Sequence, residues 1–571
     1  MINDNILITL TSCVFFMGLV AWISWRNTRG GVDSKDGYFL AGRGLSSTFI
    51  AGSLLLTNLS AEQLIGLNGS AYGYNLSSMA WEVTAAVATI AMALIFLPRY
   101  LAGAFTTLPE FLNDRFDADV RRLSVILFML GYGLVTIPAV LYSGSIAVMQ
   151  LFDIQALLGL DYFPALATTV FAIGLIGSIY AIFGGLKAVA VSDTINGIGL
   201  LIIGILVPVL GLIALGDGQF GQGLSKLVQD HPDKLNAIGK ADDPTPFGTL
   251  FTGMLFANLF YWCTNQYVIQ RTLGAASLAE GQKGVLFSGF FKVLVPFMMM
   301  IPGVIAFHLY GPSLGSIDQA YPRLIRDVMP VYLAGFFLAV LLGAVFSSFN
   351  SLLNSAATLF CLDVYQPWRK GKASDRDLVR TAKIASVIIA LFSFVVAPLL
   401  YFAEQGLWQI IRIFTGFYNI PTVVIVIVGL FTHRVPALGA KIVIIFHVIT
   451  YALLRFVFDE VITLHFLHQY AILFVIEVAI MLACGIWKPR ETAWKFTPNA
   501  KVDLTPWHFA RPLAATLFSC VVALYLLFSS VGLASSHGLG ALFYSLLFSL
   551  VLANIIYWTW TAKSQPSARP I

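Results

Sequence analysis

Long apolar blocks separated by short polar connections dominate this chain. A bilayer core accepts a helix of roughly 20 mostly apolar residues. On that measure the pattern predicts about fifteen membrane helices. The first seven lie near 5–25, 46–68, 80–98, 124–150, 163–182, 190–215 and 249–270. The others lie near 283–308, 331–362, 382–402, 408–431, 437–458, 469–487, 510–530 and 538–561, the last two parted by Gly532 to Gly540. The short alternating segments of a membrane barrel are absent. The chain therefore reads as an all-α integral membrane protein.

Two segments interrupt the apolar pattern. Leu56-Thr57-Asn58-Leu59-Ser60-Ala61-Glu62-Gln63 places four polar side chains within six residues of a predicted span. A continuous helix in lipid would bury those groups at several kcal/mol, roughly, whereas an unwound turn beside a cavity tolerates them. Phe256-Ala257-Asn258-Leu259 has the same small-Asn-Leu character and leads into Phe260-Tyr261-Trp262-Cys263-Thr264-Asn265-Gln266. The two segments open two blocks of five helices, 46–215 and 249–431. Five is odd, so the second block is inverted relative to the first. Broken helices at matching positions of inverted halves point to a midplane site in a secondary transporter. The remaining divisions are 1–45, an extra helix and loop; 216–248, an external loop without periodicity; and 432–571, accessory helices and a tail.

Composition sharpens this picture. Only 11% of residues are charged and 58% are hydrophobic, with a mean hydropathy of +0.83, against about 25% charged in soluble domains. Net charge is a modest +5, but its placement is uneven. With the N-terminus outside, 26 of the 34 Lys and Arg face the cytoplasm, Arg271 and Arg115 among them, and five face outward. The positive-inside rule favours that orientation and a cytoplasmic C-terminus; the expected location is a plasma membrane, of the bacterial inner-membrane type that the resemblance given below implies. The run Leu7 to Trp25 lacks a preceding basic region and a small-residue cleavage site, so it reads as a retained helix. The five Cys have no paired spacing and read as small buried hydrophobes.

Several polar residues inside spans carry candidate chemistry. Ser347 and Ser348 supply hydroxyl oxygens suited to a small cation, or else mark helix packing by small residues. Asp193 follows Gly184-Gly185-Leu186-Lys187 and is either an interfacial N-cap or part of a cation route. Lys292 and Arg412 either snorkel to the interface or face the bundle interior. No P-loop, nucleotide-binding module, metal-ligand histidine cluster or basic aromatic surface for nucleic acid is present. These absences favour transport without bond chemistry, not an enzyme, with no organic cofactor and no obligate protein partner. A channel and a proton-coupled carrier are the competing classes.

Four stretches carry a resemblance. They are Asn58-Leu59-Ser60-Ala61-Glu62-Gln63-Leu64-Ile65-Gly66; Gly184-Gly185-Leu186-Lys187 with Asp193; Asn265-Gln266-Tyr267-Val268-Ile269-Gln270-Arg271; and Ser347-Ser348 through Leu353-Asn354-Ser355 to Leu362-Asp363-Val364-Tyr365. With them the chain resembles the sodium/solute symporters, most closely their sodium/sugar branch, over roughly residues 5–455. The resemblance implies a LeuT-type five-plus-five inverted repeat, with one helix before it and several after, and sodium as coupling ion. It places sodium at Leu56, Leu59, Ala344, Ser347 and Ser348, with Asp193 on a sodium pathway or second site. It places a sugar or sugar-like solute at Gln63, Glu82, Asn258 and Lys292, with Tyr261 as an aromatic gate and Trp81 and Trp262 as neighbours. Asn58 and Arg412 complete the expected cavity. Two departures count against a plain hexose: Ala85 stands where a sugar-contacting Ser is expected, and Arg412 where that branch often has Gln. An anionic sugar derivative is the alternative, because the planar guanidinium of Arg412 matches a carboxylate or sulfonate.

Overall fold

The computed structural model describes residues 6–28, 34–314, 316–402, 407–459, 461–499 and 501–563. The side chains of 6, 61–62, 150–151, 179–184, 407–413 and 562–563 are outside that description, so Arg412 is placed by its backbone alone. Among the described residues all regular structure is helical, apart from two isolated bridges, Leu45 to Ala275 and Ser277 to Asp503. The main helices are α1 (Ile6–Thr28), α2 (Ser47–Asn58), α3 (Ala61–Gly73), α4 (Met79–Ala91), α5 (Ala118–Leu130), α6 (Ile137–Phe152) and α7 (Tyr162–Leu215). They continue with α8 (Gly253–Leu259), α9 (Gln266–Leu273), α10 (Leu278–Met299), α11 (Ile301–Tyr310), α12 (Val331–Leu359) and α13 (Asp375–Leu399). The last are α14 (Leu407–Phe431), α15 (Ala437–Phe456), α16 (Phe466–Trp487), α17 (Ala510–Leu527) and α18 (Ala541–Lys563).

Among the described residues twelve helices are long and apolar enough to cross a membrane, or thirteen if the bent pair α2–α3 counts as one span. The chain is thus a multi-pass membrane protein, and the expected fifteen spans are a finer count than length and composition alone return. Two segments account for the difference. Tyr162–Ser178 is apolar but shorter, and α8–α9 is divided by a π-turn at Phe260–Thr264.

The helices pack in an inverted-repeat-like way. The first broken helix of one half lies on the second helix of the other: α2 on α10, and α8 on α4. Helix α12 lies against α7, α2 and α6, which puts it at the centre. Helix α1 covers α12 and α7 from outside, α15 and α16 pack on α14, and α18 rests on α17.

Local chemistry explains the irregular points. Three wide π-turns, Met92–Phe96, Gly131–Thr136 and Phe360–Tyr365, each run up to a proline: Pro98, Pro138 and Pro367. A proline has no N–H and its ring meets the carbonyl four residues back, so a widened turn makes room for it without ending the helix. Within α7, Gly185 has φ +57° and ψ −162°, a backbone reserved for glycine. A Cβ there would stand 2.7 Å from the Tyr38 carbonyl oxygen, so this residue makes both the kink and the close contact.

The external segment departs from the expected aperiodic loop. It holds a helix, Phe220–Gln229. It is also tied to the bundle by Lys234 Nζ donating to Tyr72 O at 2.9 Å and Ala237 N donating to Phe528 O at 2.7 Å. Glycine content hid the helix: Gly223 fits so closely against α7 that a Cβ would stand 1.8 Å from Leu212 O.

Candidate functional site

The first break falls where the polar run predicts it. α2 ends at Asn58, Leu59 leaves helical geometry with ψ 84°, and the chain resumes as α3 after a 57° bend. Asn58 Oδ1, Ser60 Oγ and Gln63 Oε1 are withdrawn from solvent there without hydrogen-bond partners among the described residues. Orphaned oxygen acceptors at an unwound turn are what a hard cation or a hydroxylated solute would satisfy.

One polar cluster stands beside this break. Lys292 Nζ on α10 lies 2.5 Å from Glu82 Oε2 on α4, with side chains 1% and 3% exposed. Gln63 Nε2 donates to the other carboxylate oxygen at 3.4 Å. The Lys292 ammonium also sits 5.7 Å from the Trp262 ring centroid, whose buried indole N–H has no acceptor among the described residues. Lys292 therefore does not snorkel; it faces the bundle interior. Trp262 belongs to the π-turn, where Tyr261 packs edge-on against it and against Tyr267, at 5.6 and 5.7 Å. Trp81 is half-buried one residue before Glu82. Asn258 is buried, but its amide donates to Met254 O in its own helix at 3.2 Å.

A second cluster joins α2, α7, α9 and α12. Ser348 Oγ donates to Thr57 O at 3.4 Å, bringing α12 to the last turn of α2. Leu56, Leu59 and Ala344 are fully buried, and Ser347 and Ser348 almost so. Ser347 lines a small cavity of about 10 Å³ with Ser192, Asn196 and Asn350, close to the least volume that holds one water-sized occupant. Asp193 is not an N-cap: it lies two turns beyond Gly185, 1% exposed, and accepts from Ser53 Oγ at 2.7 Å.

Arg271 changes the picture drawn from loop charges. Its guanidinium is fully buried and donates to Ser53 Oγ at 2.9 Å, to Ser351 Oγ and to Tyr267 O. Ser351 in turn donates to Ser347 O at 2.6 Å. Arg271 thus links Asp193, through Ser53, to the hydroxyl helix. Its neighbours in the motif also tie backbone together. Gln266 Oε1 accepts from Leu108 N at 2.8 Å, and Gln270 Nε2 donates to Phe39 O at 2.9 Å while Gln270 Oε1 accepts from Ser355 Oγ at 2.6 Å. Counting Arg271 as a loop cation missed this, although its place at the end of a polar, helical motif was the available signal. Arg115, counted the same way, is also buried and donates to Gly429 O, Thr432 O and Val435 O. Burial and the nearby Arg490 pull its pKa down to about 10.

With this geometry in hand, comparisons with known proteins are informative. The model for the "Sodium:solute symporter family" matches residues 38–446. An Escherichia coli protein named "Uncharacterized symporter YidK" is 43% identical over 98% of this chain and 97% of its own length. The "Sodium/glucose cotransporter" of Vibrio parahaemolyticus is 31% identical over 76% of this chain and 82% of its own. Among solved structures, a sodium-coupled sialic acid symporter in a substrate-bound outward-open state superposes with a TM-score of 0.73 at 22% identity. That superposition spans 86% of this chain and 99% of the other, and at this identity the likeness speaks to the fold.

Proposed function

Because this chain belongs to the sodium:solute symporter family, and so is a transporter rather than an enzyme that couples sodium to a small organic solute crossing a bilayer, we propose that the solute is an anionic sugar derivative or a closely related hydroxylated acid. The observation that carries this reading is the buried Glu82–Lys292 pair with Gln63 on its free oxygen. Such groups bond several hydroxyls from different directions, and a polar pocket rejects ligands that leave its groups unpaired. The name of the Vibrio relative supports a sugar-like ligand. Arg412 on α14 and Ala85 argue against a plain hexose, since Arg412 adds a second cation to the spans that supply the cavity.

In this reading Asn58, Gln63, Trp81, Glu82, Asn258, Tyr261, Trp262, Lys292 and Arg412 line the solute site. Sodium sits among Leu56, Leu59, Ala344, Ser347 and Ser348, with Asp193 on its path. Residues 46–215 and 249–431 are the five-plus-five halves, with Tyr162–Ser178 and α8–α9 completing fifteen spans. Helix 1–45 precedes them and 432–571 follows. The N-terminus is outside and the basic face cytoplasmic, in a bacterial-type inner membrane. Sodium binds from outside at the break, completes the solute site, and both leave inward, driven by gradient and potential, about 2.3 kcal/mol per charge per 100 mV.

The test is uptake by proteoliposomes under a sodium gradient at fixed pH, with choline replacing sodium as control. Competition by a neutral hexose and by its hexuronate is compared in wild type and in Arg412→Gln. Preference for the uronate, reduced in the variant, supports the proposal. Preference for the neutral hexose that the substitution leaves unchanged removes it. Uptake that survives in choline and follows a proton gradient would move the coupling to protons.

A further inference from the structure

At the basic face of the molecule, α14 ends at Phe431, α15 begins at Ala437 and α16 ends at Trp487. These ends and the segment after α16 enclose an open cleft of about 1060 Å³, at the upper end of the roughly 300–1,000 Å³ typical of sites for drug-sized ligands. Leu482, Ile486 and Phe496 give it an apolar wall, and Arg434 and Lys495 a cationic rim; none of the residues lining it is acidic. Ile486 is 85% exposed at the end of a membrane-spanning helix, where the solvent is lipid.

The cleft is a built feature. Trp494 N donates to His433 O at 2.8 Å, Arg490 N donates to Arg434 O at 2.9 Å, and Arg490 Nη1 donates to Arg115 O at 2.7 Å. The Trp494 indole donates to Asp114 at 3.2 Å and lies 5.3 Å from the Arg115 guanidinium. His433 Nδ1 donates to Trp494 O at 3.1 Å, a second tie between the two segments. The side chains of Arg434 and Lys495 are exposed and make no ion pair among the described residues. Arg99 lies over the Phe431 ring, one residue before the cleft begins.

We propose that this cleft binds an anionic phospholipid, its phosphate held by Arg434 and Lys495 and its acyl chains lying along Leu482, Ile486 and Phe496. Charge complementarity selects that occupant. Unpaired cations directly above an apolar wall at a membrane boundary match a molecule that is anionic at one end and hydrocarbon at the other. Basic pockets between helices at the cytoplasmic side take such headgroups. The assignment to the cytoplasmic leaflet rests on the proposed orientation; the binding itself does not. The site lies on the accessory helices, and through Thr432 and Val435 it adjoins the end of α14, which belongs to the transport core.

The test uses the delipidated full-length protein in neutral detergent. Thermal unfolding is followed on adding phosphatidylglycerol, phosphatidylcholine or inorganic phosphate. Phosphatidylglycerol is expected to raise the midpoint well above the other two. The Arg434→Gln/Lys495→Gln protein loses that increment, and Arg434→Lys/Lys495→Arg keeps most of it. If the neutralised double variant does not fold, the single variants Arg434→Gln and Lys495→Gln are each expected to lose part of it. Equal shifts with phosphatidylcholine, a full shift from phosphate alone, or an increment unchanged by neutralisation would overturn the proposal. Leaflet is read separately, by labelling Lys495→Cys in intact cells with an impermeant maleimide. Labelling from outside would reject the orientation while leaving lipid binding to stand or fall on the unfolding data.

Discussion

Lys292 Nζ and Glu82 Oε2 meet at 2.5 Å across α10 and α4, in the interior of a membrane bundle and shielded from solvent on both sides. Removing one partner of such a pair strands the other charge, which typically destabilises by about 3–5 kcal/mol, whereas removing both together is far milder. Glu82→Gln and Lys292→Met are therefore each expected to lower the unfolding temperature sharply. The double variant recovers most of that loss. If the pair also binds solute, the double variant stays inactive in sodium-driven uptake despite its restored stability. Recovery of uptake along with stability would assign the pair to structure alone.

Ser348 contacts Thr57 O at 3.4 Å, where α12 reaches the end of α2. Ser348→Ala removes a hydroxyl from the proposed sodium site, a loss on the order of 1–3 kcal/mol when the remaining groups are left unsatisfied. The sodium concentration for half-activation should rise roughly fivefold or more by the same energy scale. Solute affinity at saturating sodium should change much less. Sodium titrations of uptake in Ser347→Ala and Ser348→Ala that match wild type would reject the site.

Gly303 lets α11 lie directly on α3. A Cβ there would stand 2.1 Å from the Asn68 carbonyl oxygen, which is backbone and has little room to yield. Gly303→Ala is expected to force the two helices apart, at about 1–3 kcal/mol. Gly66→Ala on the same broken helix, where a Cβ meets nothing within 4 Å, serves as the contrast. Thermal unfolding of the two variants should differ clearly, and equal midpoints would show that the helices do not meet as described.

His447 on α15 is fully buried between Glu477 Oε1 on α16, at 2.6 Å, and Gly416 O on α14, at 2.9 Å. Gly416 O can only accept, so Nε2 carries a proton. The contact with Glu477 then holds one further proton, on the carboxyl or on Nδ1. Glu477→Gln keeps a donor for Nδ1 and should stay near wild-type stability. Glu477→Leu leaves the ring nitrogen without a partner, for a loss of about 1–3 kcal/mol. Comparable unfolding midpoints for Gln and Leu would show that the contact contributes nothing.

How much of this was legible beforehand varies with the kind of force involved. The polar run Asn58 to Gln63 announced a break because lipid offers those side chains no partners, and α2 ends at Asn58. Glu82 and Lys292 were both marked as candidate site residues, but their pairing joins positions 210 residues apart. Arg271 was misread because loop and interior are not distinguished by a residue's chemistry. Its three hydrogen-bond partners come from α2, α9 and α12, and only their convergence makes a buried guanidinium tolerable.

The sequence by itself determined that this is a helical membrane protein, where its two helices break, and which transporter family it belongs to. Hydropathy, polar interruption and short motifs are local properties, read one segment at a time. Tertiary structure alone decided that Asp193 bonds Ser53 rather than capping a helix, that Arg271 ties α9 to α2 and α12, and that a basic cleft forms beyond α14. Each of those depends on side chains from distant segments meeting within hydrogen-bond reach, and a distance of that kind is set by helix packing, which no single segment encodes.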